Sequence, residues 1–315
     1  MKATAIAPSN IALIKYWGKK DEEQRIPCNP SISFCLDTLV TKTTVEFADL
    51  PEDIVQVDGK EDPATPVRGS RHLDLISKRA GIDKRARIFS ENNFPSSAGL
   101  SSSASGFAAL TLAACSAAGL KLDERELSIL ARLGSGSAAR SVPSGWVIWH
   151  SEGDAHAETI FPHDHWDLVD VVAIVSKEKK DVPSSAGQRS VWTSPFFEDR
   201  LRLLPKKIDR FMQSVRERDF PAFGAIVEQE ALELHSIMLT QSPGLIYWST
   251  GTLALMKLVR QLRPDLEAYF TMNTGQDVHI IAHAKDEKRL VDRLGSLDIV
   301  DEVIVARPSA GARLL

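Results

Sequence analysis

The pattern of apolar and polar positions changes period along the chain, and each change marks an element. β-Branched and aromatic residues interleaved with polar ones at 41–47 (TKTTVEF) and 87–90 (RIFS) predict strands. Residues 71–80 predict a helix, and the run of small, helix-compatible residues at 107–118 a second, buried one, Ala-rich and shorter than a bilayer span. Asp123-Glu124-Arg125-Glu126 caps another helix, which Leu127, Leu130 and Ala131 make amphipathic. Residues 145–149 read as a strand, and 168–176, rich in Val and Ile with a single Asp, as a largely buried one. A polar turn at 177–183 follows, and the division between two domains, 1–180 and 181–315, is expected there. The second part is mostly helical: 198–216, interrupted at Pro205, then 220–239, then 249–262 after the break at Ser242-Pro243-Gly244. Strands at 267–272 and 278–282 flank a turn at Asn273-Thr274-Gly275, and a helix at 286–294 and a strand at 302–306 follow. With no internal repeat, this mixture predicts an α+β architecture of packed layers.

Composition narrows the function classes. A chain of 315 residues, 43% apolar and 25% charged, can bury a full core. Its 38 basic and 42 acidic residues leave a net charge of -4, which argues against nucleic acid or an acidic membrane surface as partner. The cysteines, Cys28, Cys35 and Cys115, fit neither a metal-ligand spacing nor a disulfide framework, and free thiols point to a reducing cytoplasm. Neither a secretion signal nor a membrane span is expected.

Two Gly/Ser loops carry the candidate chemistry. The stretch Pro95-Ser96-Ser97-Ala98-Gly99-Leu100-Ser101-Ser102-Ser103-Ala104-Ser105 opens the Ala-rich helix. Its backbone N–H groups and the helix dipole suit phosphate, and its hydroxyls suit phosphate oxygens or a Mg2+ carried on them. A serine-rich cap that binds nothing is the competing reading. It has neither the Gly-Lys-Ser/Thr of a Walker loop nor the dinucleotide Gly-x-Gly-x-x-Gly setting. A second loop, Gly134-Ser135-Gly136-Ser137-Ala138-Ala139-Arg140, ends in a guanidinium that a simple helix C-cap does not explain. Asn10 to Lys19 adds Tyr16 and Lys19 just after a strand, where a lysine can fix an anion; a solvated surface charge is the bland alternative for Lys15 and Lys19.

These segments, in this order and together with 191–196 (VWTSPF), resemble the GHMP kinase superfamily, most closely its ATP-dependent mevalonate diphosphate decarboxylase branch. The superfamily usually has Gly where this chain has Ser101, whereas that branch has a small non-Gly residue. The resemblance implies a two-domain α+β fold, with a ribosomal protein S5 domain 2-like amino-terminal domain and a ferredoxin-like carboxyl-terminal one. It implies ATP on the loop from Pro95 to Ser105, and Mg2+ arriving with the nucleotide near Ser102 or Ser103. The implied reaction transfers the γ-phosphate to the tertiary 3-hydroxyl of a phosphorylated mevalonate, then loses phosphate and CO2 to leave an alkene. Lys19 would orient the hydroxyl, Arg140 would hold the carboxylate, and Tyr16, Ser135, Gly136 and Ser137 would position the 5-phosphate. A homodimer in the cytoplasm is expected from the same resemblance.

Two positions depart from that pattern. Asn273 stands where the family has an Asp thought to act on the hydroxyl proton, and an amide takes up no proton near neutral pH. Asp277 is a poor substitute, roughly 13 Å along an extended strand. An Asp-to-Asn change that traps substrate, a silent ATP-binding protein, or another base would each account for it, and the isosteric change with every other motif intact favours the first. Ser185 aligns where many diphosphate-using relatives carry an Arg, which favours mevalonate 5-phosphate and isopentenyl phosphate over the 5-diphosphate, unless Arg189 or Arg71 replaces the charge. A mevalonate-type 3-kinase is a further alternative. His150, His156, His163 and His165, with Asp154 and Asp164, match no familiar metal spacing and read as polar surface. Trp146, Trp149, Trp192 and Trp248 are expected to pack, and Leu255, Met256, Val259 and Leu262 to form a helix's core face.

Overall fold

The structure is a computed structural model that describes residues 1–60, 65–95, 99–176 and 182–315. The chain opens with β1 (Lys2–Ile14), makes a small antiparallel pair, β2 (Lys19–Asp21) and β3 (Ile26–Pro27), and returns as the long β4 (Ser31–Ala48). Then come β5 (Ile54–Val57), α1 (Thr65–Ala80), β6 (Arg85–Asn92), α2 (Ser102–Ala117), α3 (Glu124–Gly134), β7 (Trp146–Trp149) and β8 (Ala157–Phe161). β4 is the spine of this part, pairing antiparallel with β1, β6 and β7. Alanines at 104, 108, 109, 113 and 114 are fully buried, and their small side chains bring α2 close against β1 and β4. α3 starts at Asp123 with a complete capping box to Glu126, as its sequence predicts.

A second, four-stranded antiparallel sheet follows, built from β9 (Leu168–Ile174) and, after α4 (Ser184–Gly187), α5 (Phe197–Glu217), α6 (Phe220–Thr240) and α7 (Thr250–Leu262), from β10 (Ala268–Thr271) and β11 (Val278–His283). α8 (Glu287–Gly295) and β12 (Glu302–Ala306) complete it in the order β10-β11-β9-β12. Every residue of β9 is buried, because β11 and β12 flank it on both sides. The changeover between sheets therefore lies between Phe161 and Leu168, ahead of the expected division at 180/181. β13 (Arg313–Leu314) then crosses back to pair with β1. The expected polar turn at 177–183 falls largely outside the described residues.

Other differences have local causes. α5 runs unbroken through Pro205, whose ring sits on the exposed side of the helix. Trp192 is 56% exposed, with its ring against Phe197 at 5.0 Å, whereas Trp146 and Trp149 are fully buried. One apolar core joins the two sheets, with Ile11, Leu13 and Phe34 from the first and Val172, Ile174 and Ile281 from the second. Among the described residues no helix is long and apolar enough to cross a membrane.

Candidate active site

A cavity of about 260 Å³ opens where the two halves meet. Its walls come from the end of β1 and the segment after it, β2 and the β2–β3 connection, α1, the start of α2, the 135–140 turn, the 183–188 segment, α6 and the β10–β11 turn. The lining contains five basic side chains, Lys15, Lys19, Arg25, Arg68 and Arg140, and no carboxylate among the described residues. A chain of net negative charge has thus concentrated cations at one concave surface, which focuses potential on an anionic ligand.

The 135–140 turn is short and helical, and it carries Arg140 back under the pocket. The guanidinium is buried, donates to Asn10 Oδ1 and to Ser31 Oγ at 2.6 Å, and lies over the Trp149 ring. Burial brings its pKa down to about 10, so it stays charged at neutral pH. Tyr16 packs edge-on against the same indole at 4.7 Å, and burial raises its phenol pKa, keeping it a neutral hydrogen-bonding group. Gly136 is required here, since a Cβ would lie 2.9 Å from the Tyr16 hydroxyl.

Lys15 and Lys19 are 1% and 7% exposed, so neither is the solvated charge that sequence allows. Lys19 Nζ pairs with Glu22 at 2.7 Å. Lys15 Nζ donates only to the Ala12 carbonyl at 2.5 Å among the contacts described, and burial, with Arg140 and Arg200 adding repulsion, lowers its pKa to about 7. Glu230 on α6 opposes that shift; its carboxylate accepts from the Lys15 backbone N–H, Arg200 and Lys207. Lys15 escaped sequence reasoning as a site residue because nothing in the pattern around it distinguishes a buried lysine from a solvated one.

The first Gly/Ser loop brings Gly99, Ser101, Ser102 and Ser103 into the lining. Ser101 has φ 59, the left-handed region, and makes no side-chain cap on α2. The serine-cap reading therefore fails at this residue. The Ala104 N–H bonds the Ser101 carbonyl, and the start of this 16-residue helix, with no side-chain cap from Ser101, brings the positive end of its dipole to the cavity wall. Ser103 Oγ lies 3.2 Å from Ser135 Oγ, so the two loops touch. Leu100 and Ser105 do not line the cavity: Leu100 is buried in the core, and Ser105 hydrogen-bonds to Thr41 and the Ser102 carbonyl. Ser105 turns toward Thr41 of β4. Pro95 is also absent from the lining, and Ser96, Ser97 and Ala98 lie outside the described residues.

Asn273 enters from the β10–β11 turn. Its Nδ2 donates to Ser101 Oγ at 3.0 Å, and its backbone carbonyl accepts from His235 Nε2, also at 3.0 Å. Burial lowers the His235 pKa to about 3, so the ring is neutral and acts as a donor. Beside it Thr274 meets Ser184, and Ser185 lines the wall as expected. Asp277 is not in the lining; its Oδ1 accepts from Val175 N–H at 3.0 Å, anchoring the end of β9. Arg71 and Arg189 are exposed and outside the lining. Arg25 and Arg68 stand there instead, donating to the carbonyls of Leu133 and Gly134, and neither has an ion-pair partner among the described residues. Sequence reasoning missed them because Arg25 lies between two short strands and Arg68 on α1, far along the chain from the loops they reach.

Comparisons with known proteins agree with this geometry. Residues 7–160 match the family described as the diphosphomevalonate decarboxylase-like N-terminal domain, and residues 170–303 the mevalonate 5-diphosphate decarboxylase C-terminal domain. A diphosphomevalonate decarboxylase of Candida albicans is 35% identical, covering 93% of this chain and 87% of its own. A phosphomevalonate decarboxylase of Haloferax volcanii is 34% identical over 96% of this chain and 95% of its own. The solved complex of MDDEF with MVAPP, AMPPCP and magnesium superposes with a TM-score of 0.93 at 35% identity, over 100% of this chain and 99% of that one.

Proposed function

Because the chain belongs to the mevalonate 5-diphosphate decarboxylase family of the GHMP superfamily, we propose that it binds ATP and a phosphorylated mevalonate in this cavity and is built for ATP-dependent decarboxylation of mevalonate 5-diphosphate, in isoprenoid synthesis in the cytoplasm. The observation that carries the choice of diphosphate is the pair Arg25 and Arg68 beside the Ser135–Ser137 turn, two cations whose partners among the described residues are neutral, where a second phosphate needs charge. They supply what Ser185 lacks.

In this reading Arg140, rigid on Asn10 and Ser31, holds the substrate carboxylate; Tyr16 and the 135–137 turn hold the first phosphate, and Lys19 aligns the 3-hydroxyl. The uncapped start of α2 and the hydroxyls of Ser102 and Ser103 suit the nucleotide phosphates and would hold Mg2+, which when bound neutralises charge on the transferring phosphoryl group. A tertiary hydroxyl leaves poorly, and its phosphate ester leaves well, so phosphorylation precedes loss of CO2 and phosphate. Asn273 keeps the hydrogen-bonded position of a catalytic Asp without its basicity, so this chain should bind well and turn over slowly.

The test is titration calorimetry with the 5-diphosphate and the 5-phosphate, followed by ADP and CO2 assays. Binding of the diphosphate at least about tenfold tighter, reduced to parity in Arg25→Gln or Arg68→Gln, is the expected result. A specific observation favours the 5-phosphate as second reading: Ser185 and the full-length similarity to the Haloferax volcanii phosphomevalonate decarboxylase. Equal or tighter binding of the monophosphate would establish it, and ADP without CO2 would indicate a 3-kinase.

A further inference from the structure

The β7–β8 hairpin carries a group of side chains that the reaction does not use. Trp149 pairs with Ala157, and the His150 N–H donates to the His156 carbonyl. Side chains alternate along a strand, so 150, 156 and 158 share one face while Trp149 and Ala157 fill the buried one. His150 Nε2 lies 2.8 Å from Glu158 Oε1, and His156 Nε2 4.0 Å from Glu158 Oε2. One donor atom from each of the three residues falls within 4.8 Å of the others. A tetrahedral ion with bonds of about 2.0–2.2 Å spaces its ligands roughly 3.4 Å apart, between the two separations found here. Rotation of the exposed Glu158 side chain adjusts both of its separations toward that spacing.

The second feature is the support of His156. Its Nδ1 lies 2.8 Å from Asp154 Oδ1, and Asp154 is held by Arg125 Nε at 2.7 Å. A ring whose Nδ1–H donates to a carboxylate keeps its lone pair on Nε2, the arrangement that orients imidazoles toward a metal. The loop beneath is fixed, because Arg132 and Trp149 donate to its carbonyls at 154 and 155. His165, close in sequence, is committed elsewhere, to the Val215 carbonyl.

We propose that His150, His156 and Glu158 form a binding site for a late first-row divalent cation, Zn2+ in the first place, separate from the phosphate pocket. Two imidazole nitrogens and one carboxylate oxygen suit Zn2+ and its neighbours, whereas Mg2+ and Ca2+ take oxygen ligands. Three protein donors on an open hairpin face leave a coordination position to water. The metal would clasp the hairpin whose buried face presents Trp149 to Tyr16 and Arg140.

The experiment is equilibrium dialysis of the untagged, metal-stripped full chain against ZnCl2, with Co2+ as a spectroscopic probe. The expected result is one Zn2+ per chain, unaffected by excess Mg2+, with a tetrahedral-type Co2+ absorption. His150→Ala and His156→Ala should each weaken binding by at least about tenfold, and Asp154→Asn by about 10–100-fold, while His163→Ala leaves it unchanged. Circular dichroism checks that each variant folds, and Glu158→Gln, an isosteric change on an exposed side chain, repeats the test with the fold undisturbed. Absence of stoichiometric Zn2+, or binding indifferent to both His156→Ala and Glu158→Gln, would overturn the proposal and leave the cluster as surface ion pairs.

Discussion

Lys15 shows how a single residue can be ordinary in sequence and unusual in place. Its pKa is about 7 in the fold and 10.5 in an open chain, so between those values the unfolded chain holds a proton that the folded chain has released. Stability contributed by this group therefore rises as pH increases from about 7 toward 10.5, and below pH 7 the buried ammonium carries its full desolvation cost. Thermal unfolding should show that upward slope in the parent protein and lose it in Lys15→Met. An anion beside Lys15 favours the charged amine, so substrate binding near pH 8 should take up a proton. Calorimetry in buffers of different ionisation enthalpy reads this directly, and absence of uptake would exclude Lys15 from the anion site. The serines and glycines of the two loops, and Arg140, were legible because their types announce anion chemistry. The burial of Lys15, and the carbonyl contacts that bring Arg25 and Arg68 to the cavity, are made far along the chain.

At the scale of elements, the start of α2 and the β10–β11 turn meet backbone to backbone. A Cβ on Gly99, at φ +98, would lie 2.9 Å from Gly275 Cα, and Ser101 accepts from Asn273 alongside. Gly99→Ala should therefore cost about 1–3 kcal/mol in urea unfolding and raise the KM for ATP, because the loop must back away from the turn. Unchanged stability and KM would show that the contact is not needed. Periodicity and turn residues made most helices and strands readable, including the capped α3 and the hairpin around 273–275. α5 ran past its proline because exposure of Pro205 is a property of packing, which sequence does not display.

For the whole molecule, the join between the two halves is ionic as well as apolar. Glu230 of α6, fully buried, is shared by the Lys15 backbone, Arg200 and Lys207, and Arg200 also reaches the Lys15 carbonyl. Glu230→Ala strands buried cations and should destabilise the protein by about 3–5 kcal/mol in denaturant unfolding. It should also lower the Lys15 pKa further, since Glu230 raises it more than Asp170, the other acid that does so. None of this pairing was legible, because Lys15 and Glu230 lie 215 residues apart. The same join brings Asn273 of one half against Ser101 of the other, and the central claim rests there: the site is complete except for a base. Asn273→Asp preserves the geometry, since the Ser101 hydroxyl can donate where it now accepts. The decisive measurement is ADP and CO2 release by the parent chain and by Asn273→Asp, with saturating ATP, Mg2+ and phosphorylated mevalonate. The substitution should raise kcat by roughly 10²–10⁴-fold with little change in KM, releasing CO2 and ADP in equal amounts. Turnover of the parent equal to that of Asn273→Asp, or no turnover by either, would contradict the central claim.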